Sequence, residues 1–314
     1  MFSSRSYLRI LSVSFYFCCS FILVPLSAKT GEIKVAVVVP DEFVRDAIRN
    51  TVRRAGYQVV EPASYEVAAL EYFFTKEHPT HVVVDGSRGP SGDATLLVDL
   101  TSLRLSIGLG VERFLLLSSF AIYPENTTLP FPESAIAKID VKSVQDPYRV
   151  AKLSVAKECI AKTQSGEFSG IVCPYPLLYG FHNTYNAPLE NPVQHIRNRL
   201  IYAKHTNMEF VLVSNDGSAS FELLHVDDLG QAVVALLFAD VDHSVINIGT
   251  GVVTNIKQIA GYMHAQAGGK KELIFDMNCY DAVPLRVLNT RLIHDLGWHE
   301  AISLQKGLEE EVPL

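Results

Sequence analysis

Apolar β-branched runs that alternate with helix-spaced segments constrain this chain more than any other feature. Ile33 to Val39 (IKVAVVV) is apolar without alternation, as expected of a strand buried on both faces of a parallel sheet. Glu42 to Ala55 then places Phe43, Ala47, Ile48 and Val52 on one side of a helix, and Gly56 closes it. Strand Tyr57–Val60, helix Tyr65–Lys76, strand His81–Val84, helix Leu96–Leu109 and strand Arg113–Leu117 repeat the rhythm. Strands Phe168–Cys173 and Glu209–Val213 continue it, followed by apolar Ser244–Ile248, helix Ile256–Ala267, Leu273–Phe275 and helix Thr290–Leu296. This alternation predicts an α/β fold with a doubly wound parallel sheet and right-handed crossovers. The Pro-rich stretch Pro174–Pro192 reads as a long functional loop.

With 314 residues and 48% hydrophobic content, the chain can bury a large core in one big domain or two unequal ones. Its net charge of -7 argues against nucleic acid as a partner. Arg5 and Arg9 precede an apolar run from Ile10 to Leu26, with Ser27 and Ala28 after it. Residues 1–28 thus read as a signal-like leader, and residues 10–26 as a possible membrane contact. Cys18 and Cys19 fall within the leader; Cys159, Cys173 and Cys279 have neither disulfide nor metal-ligand spacing and read as buried thiols. No metal site is expected.

The chemistry-bearing motif is Tyr148 and Lys152, four residues apart and so on one face of a helix. An ammonium beside a phenol favours the phenolate, which lets the Tyr exchange a proton at a sugar or alcohol oxygen. A surface helix with a snorkelling Lys is the bland alternative. Ser119 ends the apolar strand upstream, where its hydroxyl could bind a substrate carbonyl or cap backbone groups. The first strand–helix turn, Val39-Pro40-Asp41-Glu42-Phe43-Val44, has no glycine and carries two acids where a dinucleotide's phosphates would go. Asp41 reads as a helix cap. Glu61 stands where an acid could hold a ribose, or is an ordinary strand-end charge.

From about Arg113 to Gly307 the chain resembles the GDP-L-fucose synthases, NADP-dependent 3,5-epimerase/4-reductases of the extended short-chain dehydrogenases. The resemblance rests on Pro176–Asn183 (PLLYGFHN), Glu222–Leu229 (ELLHVDDL), Ile246–Gly251 (INIGTG), Ile274–Asp276 and Leu296–Leu304. It implies a Rossmann-type NAD(P)-binding domain over residues 29–173 and a smaller C-terminal α+β substrate lobe over 174–314, with returns to the Rossmann sheet.

By the same resemblance Ser119, Tyr148 and Lys152 handle 4-keto reduction of a nucleotide sugar, with Lys152 also holding the cofactor ribose. His182 matches the family's acid in epimerisation, and an imidazole suits that role; a loop His making one structural hydrogen bond is the alternative. Cofactor contacts fall on Pro40, Phe43, Glu61, Tyr148 and Lys152, and substrate contacts on Asn183 and Arg286. NADP or NAD is the implied cofactor, although the missing glycines count against its binding.

The family's catalytic Cys falls on Ala121 or Phe120, neither of which moves a proton, so simple reduction is the more conservative expectation. The Arg before the Glu of REFLHVDD is Phe221 here. Asp227 reads as the cap of a helix Leu229–Phe238, with His225 locking the strand–loop junction. The family pairs through helices that include the Tyr-Lys one, which implies a homodimer; Val150, Leu153 and Val155 suit such a bundle or face the core. The resemblance implies a cytoplasmic enzyme, whereas the leader points to export or anchoring. A fold relative that has lost the cofactor is the competing expectation.

Overall fold

The computed structural model describes residues 33–86, 92–124, 126–180, 191–206, 208–213, 216–276 and 285–312; the leader, His182 and Asn183 lie outside them. Five parallel strands form the main sheet: β1 (Lys34–Val38), β2 (Gln58–Val60), β3 (His81–Val84), β4 (Arg113–Ser119) and β5 (Gly170–Tyr175). Their order is β2-β1-β3-β4-β5, which reverses direction at β1. The helices between them are α1 (Glu42–Arg54), α2 (Val67–Glu77), α3 (Gly92–Leu109), short α4 (Ser134–Lys138) and α5 (Pro147–Gln164). The Rossmann-type expectation is met.

Period-two alternation within the buried strands sets which helices cover which face. Val35, Val37 and Val39 point to a core shared with Phe43, Ala47 and Ile48 of α1. Ala36 and Val38 point the other way, to a core shared with Leu70 and Phe74 of α2 and Leu103 of α3. Leu153 and Val155 of α5 belong to that second core and are fully buried, so both are core-facing.

The later half adds β6 (Leu177–Tyr179), α6 (Pro192–His205), β7 (Phe210–Val213), β8 (Ser220–His225), α7 (Val226–Phe238), β9 (Val253–Asn255), α8 (Ile256–Gln266), β10 (Glu272–Phe275), α9 (Arg291–Asp295) and α10 (Leu304–Glu311). β6, β8 and β9 form a three-stranded sheet, and β7 pairs with β10. These elements enclose a third core around Ile196, Leu223, Ile259 and Leu308. Helix α7 returns to the first core, where Leu229, Val233 and Leu236 pack with α1. A Cβ on Gly230 would lie 3.0 Å from the Ala47 carbonyl, so glycine is what allows the two helices to approach.

Two local expectations are corrected, the start of α7 and the extent of the Pro174–Pro192 loop. Helix α7 begins at Val226, three residues before the expected start, so His225 and not Asp227 is its cap: His225 Nδ1 accepts from Asp227 N at 3.3 Å. Ser244–Ile248 runs beside β5 and bridges it only at Val245, with Ile246 N donating to Val172 O and Ile248 N to Pro174 O. The stretch Pro174–Pro192 is not all loop: β5 continues to Tyr175, β6 follows, and α6 starts at Pro192. Cys159 and Cys173 are buried thiols as expected, and burial pushes Cys159 up to about 12. Among the described residues no helix is long and apolar enough to cross a membrane.

Candidate active site

The carboxyl edge of the main sheet gathers the candidate residues. At the end of β4, Ser119 Oγ accepts from Ala121 N at 3.2 Å and caps the single helical turn Phe120–Ile122. Accepting that bond leaves the hydroxyl proton to donate, so capping does not remove its chemistry. Across from it, Asp146 accepts from the backbone N–H of Tyr148 and Arg149 and starts α5, with Pro147 pre-set for the first turn. Arg149 then ties this helix to the Ser119 turn, its Nε donating to Ala121 O at 3.0 Å and its Nη2 to Tyr123 O at 3.4 Å. Arg286 lies over the Phe120 ring at 5.6 Å, which brings this expected substrate contact to the same rim.

Tyr148 is half-buried in the first turn of α5, and Lys152 is buried one turn below. The two are near enough to interact electrostatically, as are Tyr148 and Tyr175. The Lys152 ammonium donates to Asp99 Oδ2 at 2.8 Å, to Asp85 Oδ1 at 3.1 Å and to Leu117 O at 3.4 Å. The remaining carboxylate oxygens are also engaged: Tyr175 Oη donates to Asp85 Oδ2 at 2.6 Å, and Gly86 N to Asp99 Oδ1 at 2.7 Å. Burial works against the ammonium, but Asp99 and Asp85 more than compensate and hold it charged above its usual range. Burial pushes the Asp99 carboxyl upward while Lys152 pulls it back. Burial, followed by the Asp85 carboxylate, pushes the Tyr175 phenol well up and keeps it a donor.

The sequence pattern marked Lys152 but missed these partners. Asp99 was the available signal, a lone acid amid LLVDLTSL in an apolar helix. Asp85, directly after the buried strand His81–Val84, was the second.

The first strand–helix turn is closed in a different way. Asp41 caps α1 as expected, its Oδ1 accepting from Phe43 N at 3.0 Å, and Glu42 adds a second acid. Tyr65 Oη donates to Val39 O at 2.8 Å, and Arg45 Nη1 reaches Tyr65 Oη at 3.2 Å and the carbonyls of Val39 and Pro40 at 3.4 Å. Phe43 is buried in the core beneath. Glu61 follows β2 and faces a stripe of arginines along α1: Arg45 Nε and Arg49 Nη1 each lie 3.6 Å from its Oε1, and Arg53 Nη2 is 3.9 Å from its Oε2. These residues do not fit the diphosphate of a dinucleotide. One of the amides that would face it is taken by Asp41, and a phosphate there meets two carboxylates.

Further out, the ELLHVDDL and INIGTG segments carry fold-holding contacts. Glu222 accepts from Leu288 N at 2.7 Å and Gly251 N at 2.8 Å, and Asp228 accepts from Ala301 N at 3.0 Å and Ile302 N at 3.1 Å. Phe221 is half-buried against the third core.

The strand order and the helices on both faces of the parallel sheet define a Rossmann-type α/β protein. Residues 91–249 match the model of the NAD dependent epimerase/dehydratase family, and the chain belongs to it. It is 29% identical to a putative GDP-L-fucose synthase 2 of Arabidopsis thaliana over 77% of each chain. It is 30% identical to the GDP-L-fucose synthase of Escherichia coli K12, over 63% of this chain and 64% of that one. Among solved structures, a GDP-mannoheptose C4 reductase of Campylobacter jejuni with NADP bound superposes with a TM-score of 0.74. It is 20% identical, over 90% of this chain and 98% of the other, a likeness of fold alone.

Proposed function

We propose that the protein is a nucleotide-sugar reductase of the GDP-L-fucose synthase type, acting at a 4-keto group with Tyr148 as the proton donor. The observation that carries this is the half-buried Tyr148 phenol one turn above a charged Lys152 and pinned through Arg149 to the Ser119 turn. In a 4-keto reduction the carbonyl oxygen accepts a hydrogen bond from Ser119 and the proton from Tyr148, and the hydride to the carbonyl carbon would have to come from a reduced nicotinamide supplied as NADPH. The buried ammonium steadies the phenolate left behind, although Asp85 and Asp99 offset part of its field. Ala121 and Phe120 offer no titratable group for epimerisation, and His182 lies outside the described residues. NADP is the cofactor to test first, given the Campylobacter relative solved with it. The Asp41–Glu42 turn does not fit its diphosphate.

That misfit favours a second reading, a member that binds a nucleotide sugar without redox turnover. One experiment separates the two: purified protein is given GDP-4-keto-6-deoxymannose and NADPH, and the loss of NADPH absorbance is followed. Oxidation that requires the sugar supports the reductase. Sugar binding by calorimetry with no NADPH oxidation supports the second reading and sinks the first. The homodimer and the leader at residues 1–28, with residues 10–26 as a membrane contact, are further parts of the proposal. Light scattering on the purified protein and N-terminal sequencing of cell-derived material test them.

A further inference from the structure

Lys152 has three N–H donors, and Asp99, Asp85 and Leu117 accept all three. Each oxygen of the two carboxylates is engaged as well, by Lys152, Tyr175 or Gly86. The cluster links β3, α3, β4, α5 and β5, and the side chains of Lys152, Asp85 and Asp99 are at most 2% exposed. An acceptor reaching for Lys152 would therefore have to displace a carboxylate, or the Leu117 carbonyl at 3.4 Å, from a buried ammonium, and a displaced carboxylate would keep its charge with only Tyr175 or Gly86 N as a partner.

We propose that Asp85 and Asp99 hold Lys152 as a closed internal ion cluster, so that in this chain Lys152 positions Tyr148 and the sheet edge and contacts no dinucleotide. Asp85 and Asp99 become the positioning residues of the site, and Tyr175 orients Asp85. The inference goes beyond the proposed reaction and holds whether or not a keto sugar is turned over.

The test compares the full chain with Lys152→Met and with the triple variant Asp85→Asn/Asp99→Asn/Lys152→Met. Lys152→Met strands two buried carboxylates and should lower Tm by roughly 5 °C or more. The triple variant removes all three charges and should recover at least half of that loss. NADPH is then added to the wild type and the triple variant, and its stabilising shift should be equal in both, or absent from both. A Lys152→Met protein as stable as the wild type, or a triple variant that is no more stable than the single one or does not fold, overturns the proposal. So does an NADPH shift present in the wild type and lost in the recovered triple variant. If the wild type shows no NADPH shift at all, the reductase reading fails, while the stability comparison still decides the cluster.

Discussion

Lys152 Nζ lies 2.8 Å from Asp99 Oδ2, and neither side chain exposes any surface. A charge pair this deep is weak as net stabilisation but costly to break, because the partner left behind keeps its charge without water. Asp99→Ala takes away the shorter contact but leaves Lys152 paired with Asp85 at 3.1 Å, so it should lose less than the roughly 3–5 kcal/mol of a buried charge left with no partner. Asp99→Asn keeps one hydrogen-bonding oxygen and should lose less. Urea denaturation of both variants checks the size and the ranking.

A second buried link joins the Ser119 turn to the C-terminal half. Tyr123 Oη donates to Asn247 Oδ1 at 2.6 Å, and Asn247 Nδ2 donates to Phe131 O at 2.9 Å and Asn289 O at 3.0 Å. Asn247→Ala abandons the Tyr123 phenol and the Asn289 carbonyl, at a cost of about 1–3 kcal/mol for each group left without a partner, while Phe131 O keeps the Asn289 N–H. Tyr123→Phe removes only the donor. Thermal melts should rank Asn247→Ala below Tyr123→Phe; the reverse order would contradict the link.

Glu222 gives a dependence on pH. Burial pushes its carboxyl up to about 7, despite hydrogen bonds from Leu288 N and Gly251 N that favour the ionised form. A carboxyl raised in the folded state binds protons more tightly than in the unfolded one. Its stabilisation is present below the ordinary value of 4.5 and is lost as pH rises through about 7. Glu222→Gln cannot ionise, so its stability should change less with pH over this window than that of the wild type. Guanidinium denaturation at a series of pH values reads the two slopes, and equal slopes would rule Glu222 out as their source.

The sheet was legible in the sequence because strands buried on both faces leave continuous apolar runs, as Ile33–Val39 and His81–Val84 do. Tyr148 and Lys152 were legible as a helical pair for the same reason of spacing. What the spacing could not show was where the lysine points. Asp85 and Asp99 are 14 residues apart in the chain, on different elements, and only the fold brings both to one ammonium. The start of α7 was not legible, because Val226-Asp227-Asp228 looks like a cap followed by a helix, whereas His225 fills the capping position itself. Glu61 was readable as a strand-end acid, but its pairing to Arg45, Arg49 and Arg53 depended on how α1 lies against β2.

The central claim is that Tyr148 donates the proton in reduction of a keto sugar. It is tested most directly by the rate of NADPH oxidation with GDP-4-keto-6-deoxymannose in the wild type and in Tyr148→Phe, alongside the calorimetric affinity of each for the sugar. A general acid contributes about 10²–10⁴-fold, so the variant should lose at least about 100-fold in kcat while still binding the sugar. A wild type that never oxidises NADPH, or a Tyr148→Phe variant as fast as the wild type, would contradict it.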